Sequence, residues 1–157
     1  MRMDRRGFLG SAMGAAAMRS AAAAPRVEEL DRAAAAPVLR TERLKSPVII
    51  ESIRLLKKDR EHFVHVRSKD GAEGVSLTNP GRAEYLDKIL KQLVIPFFIG
   101  KDARDLENLL WELYRAGDIY KLQGLALWCP QAWVEFAILD MLGRIASQPM
   151  EIGRAHV

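Results

Sequence analysis

Hydrophobic and polar positions alternate through the first half of the folded sequence and then change to helical spacing. Val48-Ile49-Ile50-Glu51-Ser52-Ile53-Arg54-Leu55-Leu56 is rich in β-branched residues. His62-Phe63-Val64-His65-Val66-Arg67 places Phe63 and His65 on one face of a strand and Val64 and Val66 on the other. Residues 57–61, between these runs, are polar and short enough for a hairpin connection. Asp70-Gly71 suits a tight turn, and residues 73–77 return as a third strand. The pattern predicts a three-stranded antiparallel meander, which needs a cover on one face to be stable.

The cover follows in sequence. Asn79-Pro80 is a helix start, with a capping side chain followed by a proline suited to the first turn. Tyr85, Leu86, Ile89, Leu90 and Leu93 then recur at helical spacing until Pro96 ends the pattern. A second helix takes Asp102 as its N-cap and Asp105 in its first turn. Its inward stripe is Leu106, Leu109, Leu110 and Leu113, and Gly117 stops it. A third begins near Pro130, carries Trp133, Phe136, Ala137 and Leu139 inward, with Met141 open to either side, and ends at Gln148-Pro149. Residues 128–142 are apolar around more than one face, so Ile138 and Met141 are expected on a face left exposed. Strands followed by helices indicate an α+β domain.

Residues 1–36 are of another kind. Arg5-Arg6-Gly7-Phe8-Leu9 is a twin-arginine pair leading into a short apolar run and then alanine-rich sequence. This is the pattern of a twin-arginine export signal and linker, with cleavage expected within 21–36 and delivery to the periplasm or outside the cytoplasm. No later stretch is expected to reach the roughly 18 apolar residues needed to span a bilayer, so stable membrane insertion is not expected.

Charge removes one partner class. The chain has 24 Lys and Arg against 20 Asp and Glu; six and four of these lie in 1–36, leaving 18 and 16. That near balance, spread without runs, gives no support for nucleic-acid binding. Cys129 is the single cysteine, which excludes an intramolecular disulfide and reads as a packing residue. Trp128 and Trp133 also read as packing residues. His62 and His65 lack Cys or carboxylate partners at metal-ligand spacing and read as surface or cross-strand groups.

Two segments carry a resemblance. Phe98-Ile99-Gly100-Lys101-Asp102-Ala103-Arg104-Asp105-Leu106-Glu107 and Glu135-Phe136-Ala137-Ile138-Leu139-Asp140-Met141-Leu142-Gly143-Arg144, followed by Pro149, resemble the N-terminal capping domain of the enolase superfamily. The nearest branch is the mandelate racemase and muconate lactonizing enzyme group, and the likeness runs over residues 47–150. Arg144 stands where that group commonly has Lys. The resemblance implies an enzyme in two parts, whose second part is a (β/α) barrel that holds Mg²⁺ on acidic residues and removes a proton next to a carboxylate. It implies a racemase or epimerase, a dehydratase or a cycloisomerase acting on a small organic acid, and a homo-oligomer.

The chain reads as ending before that barrel. Residues 37–150 are the capping domain, and 151–157 are a foreign tail in which His156 has no ligand role. No catalytic residue and no metal ligand is expected in this chain. Asp140 and Glu135, on a helix, are expected to be structural. Two loops of such domains face substrate: here 57–61, short enough to leave the mouth open, and 77–82. The family's frequent Gly-x-Gly-Glu is replaced by Gly74-Val75-Ser76-Leu77. Lys58, Arg60, Thr78 and Asn79 are the candidate substrate-proximal groups, because cationic and hydrogen-bonding side chains suit a carboxylate. The competing expectation is a non-catalytic binding or oligomerisation domain.

Overall fold

The computed structural model describes residues 26–37, 39, 41–116 and 122–148. Arg5 and Arg6, Gly117, Pro149 and residues 151–157 lie outside the described residues. The chain separates into two units, Met1–Ala36 and Pro37–Val157.

In the first unit, helix α1 (Val27–Ala35) forms where the sequence reading had only an alanine-rich linker. Alanine, leucine, glutamate and arginine are strong helix formers, and Glu28 and Glu29 complement the positive helix start. The Glu29 carboxylate also accepts from the Arg26 N–H at 3.2 Å. No residue of α1 is buried.

The second unit is an α+β fold, a three-stranded antiparallel sheet followed by helices, with no barrel among the described residues. Strands β1 (Ile50–Lys58), β2 (Glu61–Ser68) and β3 (Glu73–Leu77) lie in the order β1-β2-β3. The first hairpin is tighter than expected. Lys57 pairs with His62 and Lys58 with Glu61, leaving only Asp59 and Arg60 as the turn, with Asp59 at φ 56°. Aspartate tolerates that left-handed conformation better than most residues, so the ladder continues through the polar run. Val64 and Val66 face inward with His62, Ser68 and Ser76; Phe63 and His65 face outward. Of the two expectations for His62 the cross-strand one holds, since it pairs with Lys57 and is buried, and its Nδ1 has no hydrogen-bond partner. The outer face carries Leu56, Phe63 and Leu77 in one cross-strand row.

Helix α2 (Pro80–Ile89) starts as the sequence predicts, with the Asn79 side chain accepting from the Arg82 N–H at 3.1 Å. Its continuation differs. Pro96 does not end the helical path; a π-helical turn, Leu90–Val94, runs straight into α3 (Ile95–Phe98). Pro96 thus follows directly on the π-helical turn, whose wider spacing accommodates a residue that cannot donate. The register also moves: Leu86, Leu90, Val94 and Phe98 are buried while Tyr85 and Leu93 are exposed.

Asp102 caps a 3₁₀ turn (Ala103–Asp105) that leads into α4 (Leu106–Arg115), with Leu106, Leu109 and Leu113 buried. Asp102 binds more than its own turn. It accepts from Val48 N at 3.0 Å and pairs with Arg104 at 2.7 Å, while Arg104 donates to Leu44 O at 3.2 Å. The segment entering β1 is fastened by these bonds.

Helix α5 (Leu125–Ile145) begins five residues before Pro130, because Leu127 and the Pro130 ring are both buried and the ring removes only one early helical bond. Trp133, Val134, Ala137, Ile138, Met141 and Leu142 form its inner face. The expectation that Ile138 and Met141 lie exposed is corrected, since both are 0% exposed and it is Phe136, at 39%, that faces outward. This 21-residue helix is also long and apolar enough to cross a membrane, against the sequence expectation. Half of that apolar window is buried within the fold, as in a core helix.

Candidate functional site

The two expected substrate-facing segments meet at one end of the sheet. Residue pairs Lys57–His62 and Lys58–Glu61 close the first hairpin. One residue inward, the His62 carbonyl accepts from Thr78 N at 2.9 Å and from Thr78 Oγ1 at 3.1 Å. That double bond pattern brings the β3–α2 junction against the hairpin. Lys58, Arg60 and Asn79 are exposed there. Thr78 is 4% exposed, so its hydroxyl is committed to His62 rather than open to a ligand. The Asn79 side-chain oxygen is occupied by the helix cap, so only its amide nitrogen could serve a ligand.

Residues 57–61 and 78–82 contain Lys57, Lys58, Arg60 and Arg82 against Asp59 and Glu61. The excess of cations suits a carboxylate-bearing ligand. Lys57 and Arg82 were not singled out from sequence. The hairpin length concealed Lys57, whose strand pairing with His62 sets it at the closing end of the ladder. Arg82 reads as an ordinary helix-start residue, but its side chain reaches toward Cys129 on α5, with Nη1 at 3.7 Å from the sulfur.

The remaining polar constellations are structural. Asp140, as expected, serves the fold: it accepts from Val75 N and from Arg144 Nε, both at 2.9 Å. The Asp102 carboxyl is pushed up by burial, but hydrogen bonds from the Arg104 side chain and from the backbone N–H groups of Arg104 and Val48 hold it below the usual carboxylate range. Trp133 is a buried packing residue, whereas Trp128 is 44% exposed and stacks on Tyr114 at 5.2 Å between ring centres. His65 lies 3.5 Å from the Glu73 carboxylate on the outer face. Among the described residues no three His, Cys, Asp or Glu side chains gather as a metal site.

Comparison with known proteins decides the family. Residues 34–152 match the profile of the Mandelate racemase / muconate lactonizing enzyme, N-terminal domain. The chain belongs to this family. Among curated relatives, a D-galactonate dehydratase family member of Paenibacillus sp. (strain JDR-2) is 32% identical over 103 residues, covering 64% of this chain and 25% of that protein. The crystal structure of a putative racemase from Roseobacter denitrificans is 28% identical with a TM-score of 0.60, over 66% of this chain and 28% of the other. A mandelate racemase/muconate lactonizing protein from Paracoccus denitrificans PD1222, complexed with magnesium, shares the fold with a TM-score of 0.54 at 22% identity, over 67% of this chain and 30% of the other. The chain spans about a quarter of the length of these relatives. As a mandelate racemase/muconate lactonizing enzyme N-terminal domain, it supplies the sheet-and-helix portion common to them.

Proposed function

We propose that residues 37–150 cap the active site of an exported racemase, epimerase, dehydratase or cycloisomerase that removes a proton next to the carboxylate of a small organic acid. The observation that carries this reading is the convergence of the first hairpin and the β3–α2 junction at one cationic end of the sheet. Lys58 and Arg60 meet the acid as flexible cations, and Asn79 offers an amide donor at the foot of α2. Thr78 stands behind them. Closing such groups over a reaction mouth orients the acid and excludes water. The chemistry and the Mg²⁺ belong, in this reading, to a barrel domain outside the described residues, and that barrel is the chain's first partner. The enzyme is a homo-oligomer.

The test uses the enzyme with its barrel. A panel of acids is screened for exchange of the carbon-bound proton with deuterium in the presence of Mg²⁺, and the acid that exchanges is then used with K58A and R60A. A rise in KM in both variants supports the lid; an unchanged KM in both removes it. Residues 1–157 alone are expected to turn over none of these acids, and chelator-sensitive turnover by that chain would contradict the division of labour. Export rests on Arg5 and Arg6 as a twin-arginine signal into the periplasm. Changing both to Lys is expected to retain the protein in the cytoplasm, because the receptor reads the guanidinium pair. A double variant still found in the periplasm on fractionation removes that assignment.

A further inference from the structure

We infer that Thr78 is a positioning residue that latches the β1–β2 hairpin to the β3–α2 junction, so that the exposed groups of both segments hold one arrangement. The inference rests on the reading that this end of the sheet faces an acid substrate. The last ladder pair of β2 and β3 is Phe63 with Leu77. Beyond it the strands are free to splay, and there Thr78 makes two bonds to one atom, the His62 carbonyl oxygen, at 2.9 Å from N and 3.1 Å from Oγ1. A single backbone bond at a strand end leaves the junction able to pivot about it. Two donors from one residue onto one acceptor remove that pivot.

Position and burial make the hydroxyl specific. Thr78 is 4% and His62 8% exposed, so water does not compete readily for either group. The carbonyl oxygen has two lone pairs, and Thr78 fills both. His62 follows Glu61, which closes the hairpin on Lys58, and Asn79 follows Thr78 and caps α2 through Arg82 N. The latch therefore lies one residue from the hairpin's closing pair and one from the helix cap. A valine there would keep the shape and the backbone bond, and lose only the second donor while leaving a carbonyl lone pair unfilled.

The experiment compares the wild-type chain with T78V, T78S and T78A by amide hydrogen exchange, reading residues 59–62 and 78–83. In wild type, both segments are expected to open in one event with a shared denaturant dependence. T78V and T78A should raise exchange in both segments together, roughly two- to tenfold, the range of one net hydrogen bond, and T78S should leave both near wild type. Independent opening in the wild type, a T78V effect confined to one segment, or a T78S increase equal to that of T78V would each overturn the latch. The wild-type measurement stands even where T78V fails to fold. In the enzyme with its barrel, T78V is expected to raise KM with kcat less affected, and T78S to restore it. If K58A and R60A raise KM and T78V does not, the positioning role is overturned. If none of the three changes KM, the acid-facing reading has failed, and the exchange result alone decides the latch.

Discussion

The carboxylate of Asp140, in the C-terminal half of α5, accepts a hydrogen bond at 2.9 Å from the backbone N–H of Val75 on strand β3. Strand β3 is an edge of the sheet, and an edge N–H left without a partner is a template for unwanted pairing. A helix side chain fills that role here, and Arg144 one turn on holds the same oxygen at 2.9 Å. Removing the acceptor by D140A is expected to destabilise the domain by about 1–3 kcal/mol. R144A, removing a cation that is 64% exposed, should cost less than about 1 kcal/mol. Urea unfolding of the two variants checks the order, and equal losses would contradict it.

Gly74 fixes how closely β3 approaches α5. A Cβ built there would stand 2.1 Å from the Ala137 carbonyl oxygen and 2.4 Å from Met141 N, both backbone atoms of the helix. Neither can move aside as a side chain would. G74A is therefore expected to destabilise by about 3 kcal/mol or more, as an overpacked core does. It should also loosen the Ser76 hydroxyl bond to the Trp133 carbonyl, now 2.5 Å. A thermal melt within a degree or two of wild type would show that β3 can shift without loss.

Asp102 links stability to pH. Its folded carboxyl is held below the ordinary value, so its contribution is fully present above the unfolded carboxylate pKa of about 3.9 and is lost as pH falls through the depressed folded value. D102N is expected to be less stable than wild type at pH 6, with the gap narrowing below about pH 4. Denaturation series from pH 6 to pH 2 measure this, and a gap independent of pH would mean that the hydrogen bonds matter but the charge does not.

Substitution of the α5 face distinguishes the buried side from the outward one. I138E and M141E each place a carboxylate where no water reaches, and losses on the order of 4 kcal/mol or an unfolded chain are expected. F136E, on the exposed side, should remain folded. Circular dichroism and size-exclusion chromatography separate these outcomes.

The meander was legible because period-two alternation and Asp70-Gly71 are local signals, and β3 falls on residues 73–77 as its pattern implies. Asn79 and Asp102 were legible for the same reason: a cap is a relation among neighbours. What escaped was set at long range. The tighter hairpin depends on cross-strand pairing of Lys58 with Glu61, not on polarity. Pro96 was read as a stop because the widened turn that accommodates it leaves no local mark. Ile138 and Met141 were misplaced because an apolar run without a polar stripe does not say which side meets the sheet. At the candidate site, Lys58, Arg60 and Asn79 were visible as residue types on loops. The burial of Thr78 depends on His62, sixteen positions away, and only the fold reveals it.

The bonds around Asp102 also set an order of assembly. Leu44 O, Val48 N and O, and Ile50 N and O all take their partners from residues 100–104. The threshold of the first strand, early in the chain, therefore remains unfastened until a segment some fifty positions later has been made and brought back. Closing that loop costs entropy before any of these bonds forms. A nascent chain carrying only the three strands would thus have its hairpins but not its entry point, and the helices do more than roof the sheet: they complete its beginning.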